Sequence, residues 1–194
     1  MTARPSPFEV RVLLPGDAEA WLNFFDHEAF ADNPRWASCY CQFPTTAHAT
    51  IVWKDQTAEG NRERACQRIA AGQQRGVVAF AQGRVVGWCH AGPWTEATIM
   101  DDSQPEPLAE RLGAITCFVV APTWRGVGVA KALLDAACEA LRLAGCVAVD
   151  AWTQLDAPNL AAMHTGPLAL YERAGFAKLR EVDGRWVMRK PLTP

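Results

Sequence analysis

An arginine and two glycines in the stretch TWRGVGVAKALL, residues 123–134, carry the clearest chemical signal in the chain. Gly126 and Gly128 have no side chains, so a ligand can approach their backbone closely. The helical pattern that follows has unpaired N–H groups in its first turn and a partial positive charge there. Arg125 adds a guanidinium group whose N–H donors suit phosphate oxygens. Together these features predict an anion site that favours a pyrophosphate.

Two common phosphate-binding loops do not fit this stretch. A P-loop requires the pattern G-x-x-x-x-G-K-[ST], which is absent from the sequence. A dinucleotide fingerprint requires G-x-G-x-x-G after the first strand, but Lys131 occupies the last glycine position and the loop follows the fourth predicted strand. ATP and NAD are therefore disfavoured as ligands. If the loop is considered by itself, a helix start that binds no ligand remains the alternative interpretation.

Alternating and continuous apolar runs predict a mixed α/β chain around the loop. The strand–helix–strand order at its centre predicts one crossover between parallel strands. In chain order the predicted elements are a strand at Phe8–Leu14, a helix at Ala18–Phe30, an irregular apolar segment at Ala31–Thr50, a helix within Thr57–Gly72, a hairpin at Gly76–Gly92, a loop at Trp94–Arg111, a buried strand at Ala114–Val120, a long amphipathic helix ended by Gly145, a buried strand at Cys146–Trp152, a helix at Leu160–Ala174 and a closing hairpin at Phe176–Leu192.

Bulk composition narrows the class of protein. Hydrophobic residues make up 49% of the 194 residues and charged residues 21%, which is ordinary for a soluble globular domain. The net charge of -2 gives no reason to expect nucleic acid or an anionic membrane as a partner. No apolar run approaches the length that spans a bilayer, and the first ten residues lack the apolar core of a signal peptide. We therefore expect a cytoplasmic protein with a single domain over residues 1–194.

The cysteines favour reduced thiols over disulfides or a metal site. Their number, seven, is odd, and they are scattered through apolar segments. Cys39 and Cys41 form the one close pair, and a zinc site would need further ligands such as His48 and Cys66. This spacing departs from the usual C-x(2–4)-C pairing of structural zinc sites. We therefore expect no metal and interpret the cysteines as thiols of the core or of a pocket.

A second motif gives the glycine loop a family context. RGVGVA (Arg125–Ala130) resembles the [QR]-x-x-G-x-[GA] signature of the GNAT superfamily of acyl-CoA-dependent N-acyltransferases, and YERAGF (Tyr171–Phe176) resembles its Y-x-x-x-G-F motif. The resemblance implies an α/β fold with a mixed, mostly antiparallel twisted sheet of about six to seven strands, flanked by helices and with splayed central parallel strands. Residues 76–192 would form the acyl-CoA-binding core, and residues 1–75 a variable part on the acceptor side.

The resemblance also implies a cosubstrate and the residues around it. Acetyl-CoA (coenzyme A) would supply the acyl group. Tyr171 would be catalytic, standing near the sulfur and donating a proton to the leaving thiolate. Asn159 would lie near the coenzyme, although the gap from Asn159 to Tyr171 is longer here than in the family. The pantetheine arm and the pyrophosphate would lie along the backbone of Phe118, Val119, Val120, Arg125, Gly126, Val127, Gly128, Val129 and Ala130.

The implied reaction needs a base that the sequence does not identify. An alkyl amine with a pKa of about 10.4 is only about one part in a thousand neutral at pH 7 and must lose its proton before it attacks the thioester. Many family members carry a glutamate on the fourth strand, but AITCFVV holds only Thr116 and Cys117 as polar residues. Water, His90, Asp150 and His164 stay open as proton acceptors. Cys117 is disfavoured as a nucleophile because an apolar environment raises the pKa of a thiol.

We therefore predict an N-acetyltransferase that acts on a primary amine of a small molecule. A protein or peptide N-acetyltransferase and a catalytically silent acyl-CoA-binding module are the alternatives. Trp88, Trp94, Trp152 and the segment Trp36–Phe43 could line an acceptor pocket, although tryptophans also fill cores. The sequence leaves the oligomeric state open, a homodimer included.

Overall fold

The computed structural model describes residues 7–99, 107–154, 164–182 and 184–192. Seven strands in this part of the chain form one mixed sheet in the order β1-β2-β3-β4-β5-β7-β6. Only the β4–β5 pair is parallel, and the other pairs are antiparallel. The strands are β1 (Glu9–Val12), β2 (Gly76–Ala81), β3 (Arg84–Pro93), β4 (Leu112–Val120), β5 (Ala148–Gln154), β6 (Ala177–Val182) and β7 (Arg185–Pro191).

Helices cover both faces of the sheet. They are α1 (Ala18–His27), α2 (Ala58–Ala70), α3 (Val129–Leu143) and α4 (Leu168–Arg173). The sheet separates two cores, because alternate residues of β2 face opposite sides of it. Val77 packs with α3 and α4, whereas Val78 packs with α1 and α2. The periodic apolar residues of α3 are buried as the pattern predicts, and Gly145 ends the helix in the left-handed region at φ 89°.

The central parallel strands separate partway along their length. Residues Leu112 to Ile115 of β4 pair with β5, but β4 continues to Val120 without that partner. The register between β3 and β4 shifts at His90/Ala91, so that Thr116 forms a bulge on β4 just where the strands part. This confirms the splayed mixed sheet, and it leaves one edge of β4 open to other groups.

The element boundaries differ from the sequence prediction in one place that affects the site. The helix predicted from Leu160 begins at Leu168, and the described residues before it form a turn. Gly166 has φ 86° and Pro167 lacks an N–H donor, so the helix cannot extend back through them. The loop after β3 contains short 3-10 helices at Trp94–Glu96 and Ala109–Arg111. None of the described helices has the length and apolar character to cross a bilayer.

Candidate active site

The loop between β4 and α3 presents a row of unpaired backbone amides. A 3-10 turn at Pro122–Trp124 leads to Gly126 and Gly128, whose φ values of 77° and 94° lie in the left-handed region that glycine tolerates. The first helical hydrogen bond of α3 runs from Ala132 N to Gly128 O at 3.1 Å. The amides of residues 126–131 donate to no acceptor among the described residues. These N–H groups, at the positive end of the helix dipole, can bind an anion.

These amides border a cavity of about 400 Å³. Its wall is built by the segment that follows α1, the edge of β4 beyond its pairing with β5, the glycine loop and the turn before α4. Lys131 and Arg173 add positive charge to the lining. The lining residues are Ala29, Phe30, Asp32, Asn33, Phe118, Val119, Val120, Trp124, Arg125, Gly126, Gly128, Val129, Ala130, Lys131, His164, Gly166, Pro167, Leu170 and Arg173.

The side chain of Arg125 is held by groups of the chain itself. Its Nε donates to the carbonyl of Val120 at 3.0 Å. Its two terminal nitrogens bind the carboxylate of Asp32, with 3.1 Å between Nη2 and Oδ1. The guanidinium group lowers the pKa of Asp32 by hydrogen bonding. The positive charge of Arg125, which the sequence predicts for the anion site, is thus offset by the carboxylate of Asp32.

The open edge of β4 is also occupied by the chain. The amide of Phe118 donates to the carbonyl of His164 at 2.5 Å. The imidazole of His164 packs edge-on against Trp36, with ring centroids 4.3 Å apart. His164 therefore lies in the gap between the splayed strands and lines the cavity. Sequence reasoning named His164 as a possible base but did not foresee this backbone contact.

Tyr171 lies beneath the turn that precedes α4. It is fully buried and packs against Phe118 and Phe176. Its hydroxyl donates to the carbonyl of Thr165 at 2.5 Å, and burial raises its pKa well above the ordinary value near 10. A Cβ atom at Gly166 would lie 3.1 Å from this hydroxyl, so the glycine permits the close approach. Tyr171 is a protonated donor at neutral pH, covered by Thr165 and Gly166.

Two of the candidate bases are engaged in the interior. His90 is buried, its Nδ1 lies 2.7 Å from Thr116 Oγ1 at the bulge, and burial lowers its pKa to about 4. Asp150 is fully buried, and Arg189 binds both of its carboxylate oxygens at 2.6 and 2.8 Å. A neutral His90 supports the bulge, and a paired Asp150 ties β5 to β7. His164 is the candidate that lines the cavity.

The thiol of Cys117 is unsuited to nucleophilic attack. A hydrogen bond with Cys41 and burial raise its pKa well above the ordinary value. The group is therefore a neutral thiol at physiological pH, in agreement with the sequence interpretation. Within the described residues there is no group of three or more histidine, cysteine or acidic side chains that could hold a metal ion.

The tryptophans proposed for an acceptor pocket have different roles. Trp88 is fully buried and packs edge-on against Trp21 beneath α1. Trp94 and Trp152 share a small core between the sheet and the β3–β4 connection. Trp36, by contrast, is half-buried and contacts His164 at the cavity. Trp88, Trp94 and Trp152 are thus core residues, whereas Trp36 stays at the candidate site.

Three contacts of the site were missed by sequence reasoning. Asp32 lies 93 positions from Arg125, and no local pattern links the two residues. The carbonyls of His164 and Thr165 act through the backbone, which leaves no trace in residue type. Asn159 lies outside the described residues. One sequence feature does indicate part of this arrangement, because the pair Gly166-Pro167 marks a turn before the YERAGF helix.

Comparisons with known proteins agree with this geometry. The family model of the acetyltransferase (GNAT) family matches residues 27–176. No curated protein sequence matches the chain. Among solved structures, the GNAT domain of S. lividans PAT is similar at 19% identity and a TM-score of 0.60, covering 95% of this chain and 90% of that one.

Two further solved structures share this fold. The Thermoplasma acidophilum PaiA N-acetyltransferase in complex with coenzyme A has 13% identity and a TM-score of 0.55, and covers 95% of this chain and 98% of that chain. The Brucella melitensis ribosomal-protein-alanine N-acetyltransferase has 21% identity and a TM-score of 0.53, and covers 95% of this chain and 99% of that one. At these identities the likeness concerns the fold.

Three observations together define the class of the protein: the seven-stranded sheet with splayed β4 and β5, the glycine loop at the start of α3, and the family match. The chain belongs to the GNAT acetyltransferase family. It is an acyl-CoA-dependent N-acetyltransferase.

Proposed function

We propose that this enzyme transfers an acetyl group from acetyl-CoA to a primary amine of a small molecule. The observation that carries the proposal is the cavity of about 400 Å³ between the unpaired amides of residues 126–131 and the open edge of β4. One end of that cavity is built to bind an anion, and the other reaches the gap between the parallel strands. A long ligand with a phosphate at one end suits this shape.

The residues present fit coenzyme A. The amides of residues 126–131 would hold the pyrophosphate, as the helix dipole favours. Lys131 and Arg173 add two cations to the same lining. Phe118, Val119 and Val120 would run beside the pantetheine arm once the carbonyl of His164 has left the amide of Phe118. Asn159 is proposed near the arm from sequence alone. When bound, acetyl-CoA supplies an activated acetyl thioester.

The proton transfers are divided between two parts of the site. Tyr171 is fully buried and its hydroxyl keeps its proton at neutral pH, which suits donation to a leaving thiolate. Its present acceptor is the carbonyl of Thr165, so that contact must be exchanged first. His164 lines the cavity and can accept a proton from an incoming amine directly or through water.

The acceptor side favours a compact amine. The segment after α1 folds over the sheet, and Trp36 closes against His164 beside the cavity. Tyr40 and Cys41 in the same segment are buried, which leaves less room for an extended peptide. The name of the Brucella melitensis relative specifies a ribosomal-protein alanine, so a protein acceptor is the second candidate.

A test of the reaction is the release of free CoA thiol from acetyl-CoA in the presence of single amines. The panel contains small primary amines, N-terminal peptides and lysine-containing peptides at equal concentrations. We expect turnover with members of the first group, because the covered acceptor side admits compact molecules. Turnover confined to peptides would contradict the small-molecule acceptor, and no turnover with any amine would contradict the whole proposal.

Replacing Tyr171 with phenylalanine tests the proton donor. We expect kcat to fall about a hundredfold while the Kd for coenzyme A changes little, because the thiolate leaves less readily without a proton. Stopped-flow turnover and calorimetry measure the two quantities. Phe176→Leu, a change at a ring that packs on Tyr171 without a hydroxyl, is the packing control. Full activity in Tyr171→Phe would exclude this residue as the donor.

A further inference from the structure

Asp32 is the one carboxylate among the described residues that line the cavity. It lines the same cavity as Arg125, Lys131 and Arg173. Its carboxylate binds both terminal nitrogens of Arg125, in a bidentate pair that the planar guanidinium favours. The side chain of Asp32 is 39% exposed, so solvent and ligands can reach this pair. A pyrophosphate and Asp32 would therefore compete for the same cation.

A second group of the chain also occupies a position suited to the coenzyme. The carbonyl of His164 accepts from the amide of Phe118 at the open edge of β4. Trp36 packs on the imidazole of His164, and Trp36 belongs to the same segment as Asp32. One stretch after α1 thus contributes both the carboxylate on Arg125 and the ring that rests on His164.

We propose that Asp32 is a positioning residue that holds Arg125 in the free protein and releases it when coenzyme A binds. The inference rests on the proposed function of the same cavity. In the free state, the carboxylate neutralises the guanidinium and anchors the segment after α1 to the glycine loop. When the pyrophosphate reaches the amides of residues 126–131, its charge repels Asp32 and attracts Arg125. The segment after α1 is then no longer held to the glycine loop. In this way the binding of the coenzyme changes the acceptor side of the site.

The proposal predicts that removing the charge of Asp32 strengthens coenzyme binding. The Asp32→Asn variant is expected to lower the Kd for coenzyme A about tenfold, because a carboxylate no longer holds the guanidinium of Arg125, which can then bind the pyrophosphate. The same variant is expected to lower the thermal midpoint of the free protein, because the pair with Arg125 is lost. Opposite effects on binding and on stability are not expected of a residue with a purely structural role.

Calorimetry with coenzyme A, without any acceptor, measures this effect. Asp32→Glu keeps the charge and is expected to keep the wild-type Kd. Asp17→Asn is the matched control, because Asp17 forms a similar bidentate pair with Arg11, at 2.6 and 2.7 Å, outside the cavity. Its Kd for coenzyme A is expected to equal that of the wild type.

The outcomes separate this inference from the proposed function. If the wild type binds coenzyme A and Asp32→Asn binds it equally or more weakly, Asp32 is not displaced and the inference is wrong. If the wild type does not bind coenzyme A at all, the proposed function itself fails. The double variant Arg125→Met with Asp32→Asn gives a second measurement. Asp32→Asn is expected to tighten binding much less in the Arg125→Met background than in the wild type, because no guanidinium is left to release. An equal gain in both backgrounds would show that Asp32 does not act through Arg125 and would overturn the inference.

Discussion

Replacing Gly128 with aspartate is expected to raise the Kd for coenzyme A about a hundredfold, because a carboxylate beside the first amides of the helix repels the pyrophosphate. Gly128 is the N-cap of α3, and an added Cβ there meets no atom within 4 Å. Aspartate tolerates the left-handed conformation better than most residues do. The variant is therefore expected to fold with an internal anion on the amides that would hold the pyrophosphate.

Gly145 provides the matched control for this substitution. It lies after the other end of α3 with φ 89°, and an added Cβ there also meets no atom within 4 Å. Gly145→Asp therefore introduces the same strain and the same charge away from the cavity. Calorimetry should give this variant the wild-type Kd for coenzyme A. Equal Kd values for the two variants would show that the amides of α3 are not the anion site.

Replacing His90 with asparagine is expected to flatten the dependence of stability on pH. Burial lowers the pKa of His90 from 6.5 to about 4 in the folded protein. Between these two values the unfolded chain binds the proton and the folded protein does not, so acid favours unfolding. The contribution of the neutral imidazole to the free energy of unfolding is fully present above pH 6.5 and is lost as the pH falls from 6.5 through 4. Between pH 8 and pH 5, the wild type is expected to lose about 2 kcal/mol of unfolding free energy through this group.

Urea unfolding at pH 8 and at pH 5 measures that difference. Asparagine can keep a hydrogen bond to Thr116, since its amide takes the place of Nδ1, but it does not titrate in this range. His48→Asn is the control, because His48 is exposed and contacts Phe43 and Trp53, away from the bulge at Thr116. An equal loss of stability in the wild type and in His90→Asn would show that His90 titrates normally in the folded protein.

Periodic and alternating patterns in the sequence were enough to predict most of the fold. The helical spacing of Leu133, Leu134 and Ala137 predicted α3, because each apolar residue must face the same core. The continuous apolar run of β4 predicted a strand covered on both faces, and the helices on either side of the sheet confirm it. The splay of the central strands followed from the family resemblance, because residue pattern alone does not fix where a pair of strands separates.

The contacts that close the site could not be predicted in the same way. The pair between Arg125 and Asp32 joins residues 93 positions apart, and each is a common surface residue type. The bond from Phe118 to His164 uses only backbone atoms, so any residue at position 164 could form it. Burial of Tyr171 depends on the turn at Gly166, whose close approach to the ring is a tertiary property.

Backbone amide hydrogen exchange, with and without coenzyme A, tests the central claim most directly. The backbone amides of residues 126–131 donate to no acceptor among the described residues. We therefore expect them to exchange rapidly in the free protein. Bound coenzyme A is expected to slow their exchange strongly, while the residues around Gly145 at the other end of α3 keep their rates. Unchanged exchange at residues 126–131 in a protein saturated with coenzyme A would contradict the assignment of this loop as the pyrophosphate site.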